Sequence, residues 1–214
     1  MNDSVYETMK PEKRNLIIEQ IIRSEWEMLQ SVQELGERPC CKDGWGTFHI
    51  MRYSNFHPWT DRMLRSYLRD LNEAFKARRN LVMEKYAYMM EYTDYEYYRR
   101  NLEPHLPPME EEKRGLISEI SQYILDCERE FVRQYPRIGS MTNAIEAKND
   151  TKTTTSIESY LKGELRTYST LTLRHFVDFV RECRVKGINY SFLVREKTVQ
   201  MYGYESLDDA EVKI

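Results

Sequence analysis

The sequence predicts an all-α, single-domain helical bundle with a short irregular or strand-like insertion near 37–57. Three observations carry this expectation. Only 8 Gly and 7 Pro occur in 214 residues, so few turns separate long regular elements. Apolar residues recur at i, i+3, i+4 and i+7 over several segments, the period of a helix with one buried face. Hydrophobic residues make up 41% and charged residues 31%, enough apolar surface for a core and too much charge for a membrane protein.

The first helix is expected to run from Pro11, a favoured first-turn residue, to Gly36. Residues 37–57 are the least helical stretch. There Gly44 and Gly46 precede Thr47-Phe48-His49-Ile50-Met51-Arg52-Tyr53. Alternation places His49, Met51 and Tyr53 on one side and Phe48, Ile50 and Arg52 on the other, as in a short strand or extended loop. A second helix is expected from Pro58–Thr60 to about Ala77, and a third from Asn80 to Tyr92. The segment Pro104 to Pro108 breaks the chain. A fourth helix starts near Pro108, with glutamates in its first turns favouring the positive dipole end, and stops before Pro136. Residues 137–154 are polar and Thr-rich, a surface loop. A fifth helix begins at Thr155 with Glu158 completing a capping box, and continues through Leu171 into a helix ending near Gly187. Residues 1–10 and 205–214 are expected to be frayed ends.

Lys and Arg total 32 against 35 Asp and Glu, a net charge of -3 spread along the chain. This mixture gives no support to nucleic-acid binding. No apolar run approaches the roughly 20 residues that span a bilayer, so no membrane association is expected. Met1-Asn2-Asp3-Ser4 is polar, without a signal-peptide core, which points to the cytoplasm. Cys40, Cys41, Cys127 and Cys183 are then expected to be reduced thiols, and without a CxxC they form no thiolate zinc site. Phosphate-binding glycine loops, GxSxG and HExxH are absent.

The informative feature is charge on the wrong face. In the first helix Ile18, Ile22, Leu29 and Val32 share a stripe, and Glu25 lies in its middle while Glu27 points away. In the fifth helix Ile157, Tyr160, Leu161, Tyr168 and Leu171 form the stripe, with Glu164 at its centre and Gly163 leaving room for close approach. A buried carboxylate is costly unless it is paired, hydrogen-bonded or metal-bound. In the third helix Glu84 and Glu91 lie two turns apart, and so apolar a helix is expected to be buried nearly all round. Asp70 borders the Met63, Tyr67, Ala74 row of the second helix. Together these residues predict carboxylates converging inside a bundle. That composition suits a small-molecule pocket with Glu25, Glu164, Glu84 and Glu91 as acid/base groups. Tyr168, Arg52, His49, Lys85 and Asp70 are then the substrate-binding candidates. It also suits, though less than the pocket, an oxygen-liganded divalent metal (Mg, Mn or Fe) on Glu25, Glu84, Glu91 and Glu164; no Glu-x-x-His motif of the dinuclear iron proteins occurs. The alternative is a structural polar network in which arginines, lysines or tyrosine hydroxyls answer the glutamates.

Other features read more plainly. His49 and His57, near Trp45, Trp59 and Cys41, form either a pocket lid or a seal on the bundle end. His175 falls opposite the Leu173, Phe176, Val177, Val180 stripe and is expected in solvent. The Tyr-rich run Tyr92–Tyr98 has no clean period and fits a rim or a partner surface.

Four pieces, Glu25-Trp26-Glu27-Met28, Thr47 to Arg52, Asn80 to Glu91 and Tyr160 to Ser169, resemble the bacterial family catalogued as domain of unknown function 4125. The resemblance spans about residue 14 to 190. It implies a bacterial, cytoplasmic, single-domain protein and supplies no mechanism. Two functions follow as expectations: a small-molecule enzyme with a carboxylate- and tyrosine-lined pocket, or a non-enzymatic protein-interaction module with a structural glutamate network.

Overall fold

The computed structural model describes residues 9–32 and 44–214. The chain forms α1 (Pro11–Gln30), α2 (Trp45–Phe56), α3 (Asp61–Lys76), α4 (Leu81–Thr93), a single turn α5 (Tyr95–Tyr97), α6 (Glu111–Gln134), α7 (Pro136–Ser140), α8 (Ile157–Thr167), α9 (Thr170–Lys186), α10 (Tyr190–Met201) and α11 (Leu207–Lys213). No strand forms among the described residues, and the protein is a single all-α domain. A π-helical stretch, Tyr98–Leu102, and a 3-10 turn, Glu103–His105, lead from α5 toward α6.

Helix starts follow side-chain chemistry. Thr60 and Asn80 each accept a hydrogen bond from the backbone N–H three residues on, at 3.3 and 2.9 Å. Ser169 and Asn189 cap α9 and α10 in the same way. Such caps stabilise a helix by about 1 kcal/mol each. Gly187 ends α9 with φ of 63°, a left-handed conformation that glycine takes without a Cβ penalty.

Helix α1 packs on α2, α3 and α4, α6 packs on α8, α9 and α10, and α4 lies along α8. The main core between them is built on Ile18, Ile22, Phe56, Met63, Leu64 and Leu173, all fully buried. Each contributes about 1.5–3 kcal/mol by leaving water. A smaller core joins Phe131, Tyr135 and Ile138 to Val199, Leu207 and Ala210.

Several sequence expectations are corrected. The described part of the 37–57 insertion is helix α2, not a strand or loop. Its Arg52 and Phe56 turn inward, while His49, Tyr53 and His57 stack in a ladder with ring centroids 5.9 and 5.8 Å apart. Four-residue spacing brings these rings together only on a helix, and packing against α1 and α10 overrides the β-like composition. Helix α1 ends at Gln30 with Ser31 as its cap, short of the expected Gly36. Gly36 itself, residues 37–43 with Cys40 and Cys41 and the first eight residues of the expected N-terminal fray lie outside the described residues. The other end, 205–214, is not frayed: α11 buries Leu207 and Ala210. The 137–154 loop contains the short helix α7 with Ile138 buried. Ser156, not Thr155, caps α8, and Glu158 accepts from the Ala147 N–H at 2.8 Å instead of closing a capping box. The chain breaks at Tyr168 before α9, so α8 and α9 are separate helices. Helix α4 is not buried all round, because Met83 and Tyr92 reach solvent. His175 is half-buried, not fully exposed.

Candidate functional site

Glu25, at the middle of the α1 stripe, is 4% exposed. Its neighbour across the core is Arg52, 6% exposed, which α2 aims inward. Arg52 donates from Nε to Glu25 Oε2 at 2.7 Å and from Nη2 to Glu25 Oε1 at 2.6 Å, a bidentate fork. The same guanidinium reaches Glu164 on α8, with Nη2 to Oε1 at 2.9 Å and Nη1 to Oε2 at 3.2 Å. Lys85 of α4 completes the group, donating to Glu164 Oε2 at 2.7 Å. Two tyrosine hydroxyls close it: Tyr67 donates to Glu25 Oε1 at 2.7 Å and Tyr168 to Glu164 Oε1 at 2.6 Å. Glu25 and Glu164 are thus bridged by one arginine, and helices α1, α2, α3, α4 and α8 all contribute to the network.

The electrostatics follow from burial and pairing. Two carboxylates face two cations, so the enclosed charge is balanced. Burial alone would raise the Glu164 carboxyl, but Arg52 and Lys85 outweigh it and hold the group well below the usual carboxylate range. Burial likewise works against charged Lys85, and Glu164 more than compensates, leaving its pKa raised. Tyr67 and Tyr168 are pushed up, first by burial and then by the carboxylates they serve, so both stay protonated donors. Arg52 also lies over the Phe56 ring at 4.6 Å and Lys85 over the Tyr160 ring at 3.5 Å. Gly163 makes the approach of α4 possible: a Cβ there would meet Met89 Cγ at 2.8 Å and the Lys85 carbonyl oxygen at 3.0 Å.

The other predicted site residues are placed elsewhere. Glu84 takes a bidentate contact from Arg79, at 2.8 and 2.6 Å, and Glu91 pairs with Arg166. Neither faces a shared cavity with Glu25, because each is claimed by its own arginine. Asp70 accepts from the Ser169 N–H at 3.0 Å and from Thr172 Oγ1 at 2.6 Å, and so holds the start of α9. His49 bonds Glu19 of α1 at 2.8 Å in a partly buried pair separate from the network.

The residues do not fit a divalent metal. The point where Glu25 and Glu164 converge is filled by a guanidinium, so a metal cation would meet positive charge where it needs open carboxylate oxygens. Among the described residues no three His, Cys, Asp or Glu side chains come together as a metal-binding group.

Two features go beyond what the sequence pattern predicts. Tyr67 has the position of an apolar member of its row, yet a buried tyrosine hydroxyl requires a partner and finds Glu25. The second is an open cleft of about 1070 Å³ between α3 and α9, flanked by residues 9–14. Its rim carries Arg62, Arg65 and Arg69, whose i, i+3, i+7 spacing is the signal that places them on one face of α3. Neither this cleft nor a shallower one along α3 is lined by Glu25 or Glu164. No helix among the described residues is long and apolar enough to cross a membrane.

A family model described as "Protein of unknown function (DUF4125)" matches residues 15–212, a span that holds the whole buried network and all of α3 and α9. No curated protein and no solved structure matches the chain.

Proposed function

The chain belongs to this family of proteins of unknown function, DUF4125, and on that premise we propose that it is a non-enzymatic interaction module with a structural charge network at its centre. One observation carries the reading: both oxygens of Glu25 and of Glu164 are occupied by Arg52, Lys85 or a tyrosine hydroxyl. An acid/base carboxylate needs an oxygen free to meet substrate, and a fully answered one does not offer it. Recognition then belongs to the surface. Tyr92, Tyr95 and Tyr97 are exposed beside buried Tyr98, and aromatic side chains of this kind favour a partner protein. A reducing, cytoplasmic setting is part of the same proposal and agrees with the free, buried thiols of Cys127 and Cys183.

The second reading is a small-molecule enzyme in which Glu25 and Glu164 do acid/base work. The observation in its favour is that Glu164 and Lys85 keep 14% and 10% side-chain exposure, one edge of the network that solvent reaches.

Thermal melts of Glu25→Gln and Glu164→Gln separate the two. A structural network loses a buried partner in each variant, which costs about 3 kcal/mol or more and lowers Tm by roughly 10 °C. Active-site carboxylates are held at a cost in stability, so their neutralisation leaves Tm equal or higher. A pair of variants melting at or above the wild type would overturn the proposal and return these residues to catalysis.

A further inference from the structure

The cleft between α3 and α9 has the opposite electrical character from the rest of the chain. Among the described residues, Lys10, Lys13, Arg14, Arg62, Arg65 and Arg69 line it beside Asp61, Asp178 and Glu182, an excess of three positive charges. The whole protein carries -3. Asp61 is already engaged: it accepts from Arg14 at 2.8 Å and from the Met9 N–H at 2.7 Å. Arg65 and Arg69 form no ion pair among the described residues, in contrast to Arg52, Arg79 and Arg166. Unanswered guanidinium forks at the wall of a cavity are the chemistry that receives a phosphate or carboxylate in bidentate fashion.

The spacing limits the ligand. Arg65 and Arg69 are one helical turn apart, about 6 Å along the axis, and Arg62 to Arg69 covers about 10 Å. Those distances suit adjacent anionic groups more than a single ion. The opposite wall is different in kind. Leu171 and Phe179 of α9 and Met9 give it apolar surface, beside the carboxylates of Asp178 and Glu182 on the same helix. His175 stands between them; burial lowers its pKa, with Arg62 and Arg69 adding to the effect against Asp178, so the ring is neutral at pH 7. A flat apolar ring system has a surface to lie against there, within a volume that holds a ligand of several hundred Å³.

We propose that this cleft is a binding site for a small organic molecule bearing two or more phosphate groups, with the phosphates on Arg65 and Arg69 and the organic part against Leu171, Phe179 and His175. The site lies apart from the buried network, and its existence does not depend on that network's role.

Calorimetric titration of the full chain with adenosine diphosphate, inorganic pyrophosphate and adenosine tests it. The expected order is adenosine diphosphate tightest, pyrophosphate weaker, adenosine without measurable binding. In the Arg65→Ser, Arg69→Ser double variant the affinity for adenosine diphosphate should fall roughly 100-fold, tenfold or more for each charged hydrogen-bonding group lost. An Arg99→Ser, Arg100→Ser variant, which removes the same charge from a distant surface, should bind as the wild type does. Any other order of the three probes, equal loss in both double variants, or tighter binding of a 20-nucleotide single strand than of adenosine diphosphate would overturn the proposal. Unchanged circular dichroism melts of both variants keep folding out of the comparison.

Discussion

The centre of the bundle and the α3–α9 cleft both present arginine, and they differ in how its charge is answered. Arg52 is buried among two glutamates and spends its guanidinium on them. Arg65 and Arg69 sit in an open cleft and make no ion pair among the described residues. Burial forces this difference. A charge removed from water must find partners within the fold, because the desolvation penalty of several kcal/mol leaves no alternative. A charge at a cleft wall keeps its water, tolerates the absence of a partner and remains available to a ligand. On the two proposals for the bundle centre and the cleft, inward charge serves structure and surplus charge at a concave surface serves recognition.

The largest expected effect is at the centre. Arg52→Met removes the bridge and strands Glu25 and Glu164 inside the core. Breaking a buried pair in this way costs about 3–5 kcal/mol, read as a drop in Tm of roughly 10–15 °C. Replacing Glu25, Glu164 and Lys85 with apolar residues in the same chain should recover part of the loss, since a well-packed apolar set can match a buried ionic one. A Tm within about two degrees of wild type for Arg52→Met alone would break the comparison, because the centre would then behave like the cleft.

Acid is the second probe. Glu164 has its folded-state pKa depressed from the ordinary 4.5, so its contribution is fully present above that pH and is lost as pH falls toward the folded value. Wild-type stability should hold between pH 5 and 7 as far as this group is concerned and fall progressively below about pH 4.5, by at most about 1.4 kcal/mol per pH unit from this one carboxyl. Glu164→Gln should show a shallower acid limb, in urea melts across pH 3 to 6. Parallel limbs in the two proteins would remove Glu164 from the account.

Part of the centre is legible in the sequence. Glu25 and Glu164 stand out because the 3.6-residue period fixes which positions face inward, and a carboxylate there contradicts its stripe. Their meeting on one arginine is not legible, because Arg52 lies in a segment whose Thr, Phe, Ile and Tyr content resembles a strand. The competing signal is present in His49, Tyr53 and His57, four residues apart, but alternation and helix periodicity both fit a seven-residue window. Glu84 and Glu91 show the limit of the stripe argument. It identifies an inward carboxylate and cannot say which of several arginines will answer it. Helix α10, with its Ser191 hydroxyl donating to Glu128 of α6 at 2.9 Å, gives no sequence signal because it has no single apolar face. The cleft is hidden by averaging: a chain of net charge -3 with mixed signs gives no hint that three arginines of one helix face share a cavity.

Gly163→Ala is a gentler test of the centre. The added methyl would lie 3.0 Å from the Lys85 carbonyl oxygen and 2.8 Å from Met89 Cγ. Met89 can swing aside, but the α4 backbone cannot move without carrying Lys85 away from Glu164. Such overpacking costs about 1–3 kcal/mol. The sharper expectation concerns its nature. Lys85→Met should reduce the cost of Gly163→Ala, because the ion pair that the shift breaks is already gone, and a double-mutant cycle reads that coupling. Strict additivity would mean that the methyl acts through packing alone.

The smallest effect is expected in the cleft, and its smallness is the point. Arg65→Ser with Arg69→Ser removes two cations that no carboxylate answers among the described residues, so no buried charge is stranded. Exposed substitutions of this kind change stability by no more than about 0.5 kcal/mol. The sign should be toward stabilisation, because Arg62, Arg65 and Arg69 repel one another along one face, and the gain should shrink as salt screens that repulsion over about 10 Å at 0.1 M. Urea melts at 20 mM and 500 mM sodium chloride measure both features. A loss above about 2 kcal/mol that persists at high salt would mean that these arginines are as structurally engaged as Arg52, and that the cleft is held together by them instead of held open for a ligand.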